Sequence, residues 1–150
     1  MQGANMVFSE KGKEMLCKSE GVLLNRYKDS VGKWTIGVGH LITGTENPPI
    51  PDRITKERMM ELLSQDIRRF EDCVNKKVQS NLEQHEFDAL VHFAFNIGTG
   101  GFSKSTLLRL LNASEDKQIV AEQFMRWTKQ KELTGRRKKE QKLFLRGIYA

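Results

Sequence analysis

Met59, Leu63, Ile67, Phe70 and Val74 recur at spacings of four, four, three and four, which puts all five on one stripe of an α-helix. Thr55 ahead of them is a good N-cap, and Glu57 complements the helix dipole. The pattern therefore predicts a long helix from Lys56 to about Lys76. Shorter helical stripes follow at Phe87, Leu90, Val91 and Ala94, then at Leu107, Leu108, Leu110 and Leu111. A third holds Ile119, Val120, Phe124 and Trp127, and a fourth Leu143, Phe144 and Ile148. The run from Asn96 to Gly101 reads as a break, with Ser103 or Ser105 capping the helix after it.

Before Thr55 the periodicity changes. Ser9 to Lys18 suits a short helix with Ser9 as N-cap and Gly21 close to its end. Asp29, Ser30, Val31 and Gly32 form a turn signal, and the alternation from Trp34 to Gly39 predicts a small antiparallel hairpin. Glu46-Asn47-Pro48-Pro49-Ile50-Pro51 reads as a stiff, exposed, proline-rich loop. The expected architecture is α+β in one 150-residue domain. A small N-terminal sheet lobe would span about 14–54 and a long joining helix 55–76. A larger helical lobe would take 77–150 together with the N-terminal helix.

Composition changes this picture little, and charge changes it more. Apolar residues are 38% and charged residues 29%, which suits a soluble globular chain. No window approaches the roughly 18 apolar residues of a membrane helix, and the start lacks a basic, apolar leader. The expectation is a protein made in a cytoplasm, with no membrane anchor. Cys17 and Cys73 are expected to be free thiols, and His40, His85 and His92 lack metal-ligand spacing, so no metal site is expected. From Arg126 to Ala150 there are nine Lys or Arg against two Glu, whereas the preceding 125 residues hold 16 basic against 17 acidic groups. The C-terminal segment alone makes the chain basic, and such a face attracts polyanions: nucleic acid, anionic membrane or an acidic cell wall. A solvated helix face is the alternative for any single lysine there.

The stretch SEGVLLNRYKDSVGKWTIGVGH places Glu20, Asp29 and Thr35 among turn and strand residues. Glycoside hydrolysis needs one carboxyl group to protonate the leaving oxygen and a second to guide a nucleophile. Glu20 at a helix end, Asp29 in a turn and Thr35 on the returning strand could supply that pair and a water-holding hydroxyl. Each also has an ordinary role: a solvated helix end, an Asx-turn, a strand-forming threonine. Direct displacement with inversion would need roughly 6.5–9.5 Å between the carboxylates.

Glu, eight residues, Asp, five residues, Thr, set in SEG, Y-K-D and G-K-W-T-I-G-V-G-H, resembles the phage lysozymes of glycoside hydrolase family 24, of T-even and lambdoid type. GVGHLIT, RITKERMMELLSQDI, FNIGTGGFSKSTLLRLLN and RWTKQKELTGRRKKEQKLF are similar to further blocks of that family, in order, from about Glu14 to Arg146. The resemblance implies a lysozyme-like fold. It also implies an endolysin-type muramidase, without cofactor, that cleaves the β-1,4 bond between N-acetylmuramic acid and N-acetylglucosamine on peptidoglycan glycan strands. It makes Glu20 the general acid, with Asp29 and Thr35 positioning the water, and sets Leu41, Phe95 and Ser105 along the saccharide cleft. Arg136 or Arg137 matches the family's arginine near the catalytic Glu. His40 is expected to be structural, paired with Asp66, and Trp34 and Trp127 to be core residues. Val38 departs from the aromatic residue common in lambdoid members, and Ala121 stands where T-even relatives have a cleft Asn. The implied biology is a monomer held in the host bacterial cytoplasm until a holin releases it to the wall. The rival readings are a basic nucleic-acid- or membrane-binding protein without hydrolase activity, and the same enzyme used as an antibacterial toxin.

Overall fold

The computed structural model of the chain describes residues 5–150. In order these form α1 (Glu10–Glu20), β1 (Leu23–Lys28), β2 (Trp34–Gly37), β3 (His40–Leu41), α2 (Lys56–Lys77), α3 (Gln84–Ile97), α4 (Thr99–Lys104), α5 (Thr106–Asn112), α6 (Lys117–Glu122) and α7 (Leu133–Arg146). A 3₁₀ turn over Gln123–Arg126 separates α6 from α7. The class is α+β. The described residues divide into two compact units, Leu16–Arg68 and Arg69–Ala150, the second including residues 5–15. Among the described residues no helix is long and apolar enough to cross a membrane.

In the smaller unit the three strands pair antiparallel in the order β1, β2, β3. The alternation from Trp34 to Gly39 suggested one continuous strand, but the chain turns back after β2. Gly37 and Gly39 take φ of 69° and 65°, a conformation that costs residues with a Cβ, and they return the chain as β3. The pairing of β1 with β2 slips between Leu23↔Gly37 and Tyr27↔Thr35, a bulge that bends β1. Ile36, Val38, Ile54, Met59, Leu62, Leu63 and Ile67 are buried, so the sheet and the first part of α2 supply the unit's apolar core. Trp34 is not part of it. It lies opposite Lys28 at the turn end of the hairpin and stays 45% exposed, with Arg26 and Lys28 cations 5.7 and 5.2 Å from its ring. Thr55 caps α2 by accepting the Arg58 amide at 3.0 Å.

In the larger unit Phe93 gathers the core, with Phe124, Trp127 and Phe102 rings 4.9, 5.9 and 6.4 Å away, all edge-on. Three sequence expectations change here. The break at Asn96 to Gly101 shelters a short helix, α4, because only Gly98 (φ 92°) leaves helical geometry. The stripe through Ile119 and Trp127 is two elements, since α6 ends at Glu122 and tightens into the 3₁₀ turn; Val120 and Phe124 stay buried and Ile119 is exposed. The last helix stops at Arg146, where Gly147 turns left-handed and leaves Ile148 outside. Between the two candidate serine caps, Ser105 starts α5, accepting the Leu108 amide at 3.1 Å. Neither cysteine forms a disulfide.

The fully buried Asp88 joins distant parts of the larger unit. It accepts from the Ser9 amide (3.1 Å), the Ser9 hydroxyl, Gln84 Nε2 (2.9 Å) and the Tyr149 hydroxyl (2.6 Å). Burial, with the Asp88 carboxylate beside it, pushes the Tyr149 phenol up to about 12. Asp88→Asn is expected to bring Tyr149 back towards 10 in an ultraviolet absorbance titration. It should also lower unfolding stability in urea by roughly 1–3 kcal/mol as donors lose their partner; a Tyr149 titration unchanged from wild type would contradict this account.

Candidate functional site

Glu20 is the last residue of α1 and is exposed. Gly21 follows with φ 83°, its amide closing the helix on the Cys17 carbonyl at 2.8 Å, and the chain turns directly into β1. Asp29 comes immediately after β1. Its Oδ1 accepts the amides of Val31 at 3.0 Å and Lys33 at 2.8 Å, while its own amide donates to the Lys33 carbonyl at 2.8 Å. The Asx-turn is therefore real. It is also what immobilises the carboxylate, because Oδ2 makes no hydrogen bond among the described residues. Thr35 is nearly buried, and its hydroxyl donates to the same Lys33 carbonyl at 3.0 Å. Its proton is thus committed and its lone pairs remain to accept. The backbone of Lys33 ties the acid and the hydroxyl to one small frame.

Leu41 is the cross-strand partner of Thr35 and is 44% exposed, so it presents an apolar surface next to that hydroxyl. In the larger unit, Phe95 is half-buried with its ring 5.1 Å from Phe70. Ser105 is buried and used in both directions, accepting from Leu108 as a cap and donating to the Phe102 carbonyl at 2.7 Å. It also lines a pocket of about 270 Å³ with Arg126 and Trp127.

The two candidate arginines differ sharply. Arg137 is fully buried, with Nε on the Trp127 carbonyl at 3.0 Å, Nη1 on Glu140 at 2.5 Å and Nη2 on Asn96. Arg136 is half-buried and reaches Glu140 at 3.4 Å and the His92 carbonyl at 3.1 Å. Glu140 also binds His92 Nδ1 at 2.5 Å, so one buried carboxylate serves two guanidinium groups and an imidazole. Arg137 is held inside the larger unit.

His40 is held between two carboxylates, Nδ1 to Asp66 Oδ2 and Nε2 to Glu46 Oε2, both at 2.8 Å. Both ring nitrogens are occupied, which leaves neither to act as a base. The side chain of Glu46 also accepts the Thr43 and Gly44 amides at 2.8 and 2.9 Å, so the ring links β3, the proline-rich loop and α2.

Residues 17–140 match the model of the phage lysozyme family. The chain belongs to the phage lysozyme family. It is 39% identical over 145 residues to the endolysin of Salmonella phage P22, covering 93% of this chain and 99% of that one. Among solved structures it superposes on the endolysin from Escherichia coli O157:H7 phage FAHEc1 with a TM-score of 0.87 at 32% identity, covering 100% of this chain and 99% of that one. The muramidase domain of SpmX from Asticaccaulis excentricus matches with a TM-score of 0.82 at 33% identity, over 92% of this chain and 97% of that one. The fold is accordingly lysozyme-like.

Within this lysozyme frame the two sequence departures are both interior. Val38 is buried in the smaller unit, and Ala121 is buried with its carbonyl accepting Gln141 at 2.8 Å. Sequence reasoning missed Glu46, Glu140, His92 and Asn96 as polar partners. The spacing of Glu140, three and four residues after the arginines, was the signal available for it. Glu46 lies in an aperiodic loop and gave none.

Burial alone would lower the His40 pKa, but hydrogen bonds to Glu46 and Asp66 and their negative charges outweigh it, so the pKa is raised above 6.5. Burial would raise Glu46, yet the Thr43 amide and His40 hold it down at about 2. The stability that His40 contributes is therefore complete below about pH 6.5 and lost as pH rises through its folded value. That of Glu46 is complete above about pH 4.5 and lost as pH falls towards 2. The cluster should stabilise most between these limits. In an NMR titration, Asp66→Asn and Glu46→Gln should each lower the His40 pKa, and the fall in stability above pH 6.5 should flatten. An unchanged His40 pKa in Asp66→Asn would refute the pairing as the cause.

Proposed function

We propose that the chain is an endolysin-type muramidase hydrolysing the β-1,4 bond between N-acetylmuramic acid and N-acetylglucosamine in peptidoglycan, with inversion. The observation that carries this reading is the way Asp29 is held, one oxygen fixed by two amides and the other open, tied through Lys33 to a threonine whose hydroxyl can only accept. A water bound by both would donate its two hydrogens, one to Asp29 and one to Thr35, and present a lone pair as nucleophile. Glu20 gives its proton to the glycosidic oxygen as the C1–O bond breaks. The water oxygen bonds to C1, and its proton passes to Asp29. The family match supports the assignment, as do the relatives named endolysin and muramidase domain.

Leu41 and Phe95 are proposed to offer apolar surface to the sugars. The hydroxyl of Ser105 is already engaged, so its contribution would come through the backbone it holds. Because Arg137 is committed to Glu140, Asn96 and Trp127, the arginine role implied by the resemblance falls to Arg136. The biology proposed with this chemistry is that of a monomeric phage endolysin, kept in the host cytoplasm and given access to the wall by a holin.

Purified protein should clear a suspension of bacterial cell walls. Glu20→Gln should slow clearing by about 10²–10⁴-fold, the usual contribution of a general acid, while still sedimenting with the walls. Wild-type protein that leaves walls turbid but retards DNA would favour the nucleic-acid-binding reading; clearing by Glu20→Gln at the wild-type rate would remove Glu20 from its role.

A further inference from the structure

We propose that the outer face of α7 is an exosite that grips the anionic wall polymer with side chains other than the bond-cleaving groups, an inference that rests on the muramidase reading. The inward face of α7 buries Arg137, Glu140, Leu143 and Phe144. Its outward face exposes Lys138, Lys139, Lys142 and Arg146. Lys138, Lys142 and Arg146 are each four residues apart, which makes a stripe about 12 Å long at 1.5 Å per residue. None of these four side chains forms an ion pair among the described residues. The acid between them, Glu140, is turned inward and satisfied by Arg136, Arg137 and His92.

An ordinary solvated helix in this chain looks different. α2 mixes six basic with five acidic residues, and Arg58 and Glu61 form one i,i+3 pair on it. On α7 the like charges at i,i+4 oppose helix formation, and no carboxylate is interleaved to offset them. A polyanion docked along the stripe would supply the missing countercharge. Peptidoglycan provides one through the free carboxylates of its stem peptides. Lysine ammonium groups on long flexible stems suit acceptors whose spacing is irregular. A bilayer fits less well, since the apolar Leu143 and Phe144 face inward and the stripe has no apolar residue to insert. A nucleic acid fits less well too, as no aromatic side chain is interleaved for base stacking. Several weak contacts to one insoluble polymer act together and hold the enzyme near successive bonds.

The test uses the full chain carrying Glu20→Gln, so that the polymer stays intact, and co-sedimentation with purified peptidoglycan sacculi across a salt series. Lys138→Gln, Lys142→Gln and Arg146→Gln together should raise Kd for sacculi by about tenfold at low salt, the sum expected of three exposed ion pairs. The salt dependence should become shallower. With Glu20 restored, the triple variant should clear sacculi at the parent's saturating rate but with KM raised by a similar factor. Replacing the same residues so that charge is kept (Lys138→Arg, Lys142→Arg, with Arg146 intact) should restore binding, and thermal unfolding reports that the variants are folded. Unchanged affinity and salt slope in the triple variant would overturn the exosite. So would a loss of binding confined to duplex DNA or to phosphatidylglycerol vesicles, run as parallel arms. Failure of the parent protein to clear sacculi would count against the muramidase reading, whereas the exosite is judged by the binding of the inactive protein.

Discussion

The amides of Val31 and Lys33 donate to a single oxygen of Asp29, and those two hydrogen bonds limit where the other oxygen can look. Much of the smaller unit serves that arrangement. Gly21 stops α1 and starts β1, a bulge bends β1, and the strand delivers Asp29 to a turn whose fifth residue, Lys33, binds both Asp29 and Thr35. A carboxylate held in this way loses little freedom when a water binds to it, and that preorganisation is what a transition state can use. The turn role of Asp29 and the catalytic role proposed for it are therefore compatible.

Charge is used differently in the two units. In the smaller one, His40 draws Glu46 and Asp66 together, fastening a loop and α2 to the short third strand. In the larger one, Glu140 lies at zero exposure among Arg136, Arg137 and His92, and Asp88 collects donors from both ends of the chain. Removing one member of such a buried set leaves the others desolvated without partners, which makes them demanding positions even though none needs to touch substrate.

The helices with a wide apolar stripe were legible from sequence: α2, α3 and α5 follow from the 3.6-residue period, and hydroxyl placement marked Thr55 and Ser105 as caps of the first and last. What escaped were features set by a few backbone angles. Two glycines at positive φ divided the predicted strand after Trp34, and a change from α to 3₁₀ winding at Gln123 split the stripe read from Ile119 to Trp127. Hydrophobicity alone also misplaced Trp34, whose exposure depends on its position at the hairpin end and on two neighbouring cations. Of the candidate chemistry, the residue types and the order Glu20, Asp29, Thr35 could be read directly. That Asp29 and Thr35 share Lys33 could not, because hydrogen bonds to main-chain atoms leave no mark on residue identity.

The configuration of the first sugar released tests this account most directly. If a water held by Asp29 and Thr35 attacks from the face opposite the leaving oxygen, proton NMR recorded during the first turnovers should show the α-anomer of N-acetylmuramic acid before mutarotation. Initial release of the β-anomer would mean a covalent or otherwise retaining route, and the water-positioning role of Asp29 would have to be abandoned.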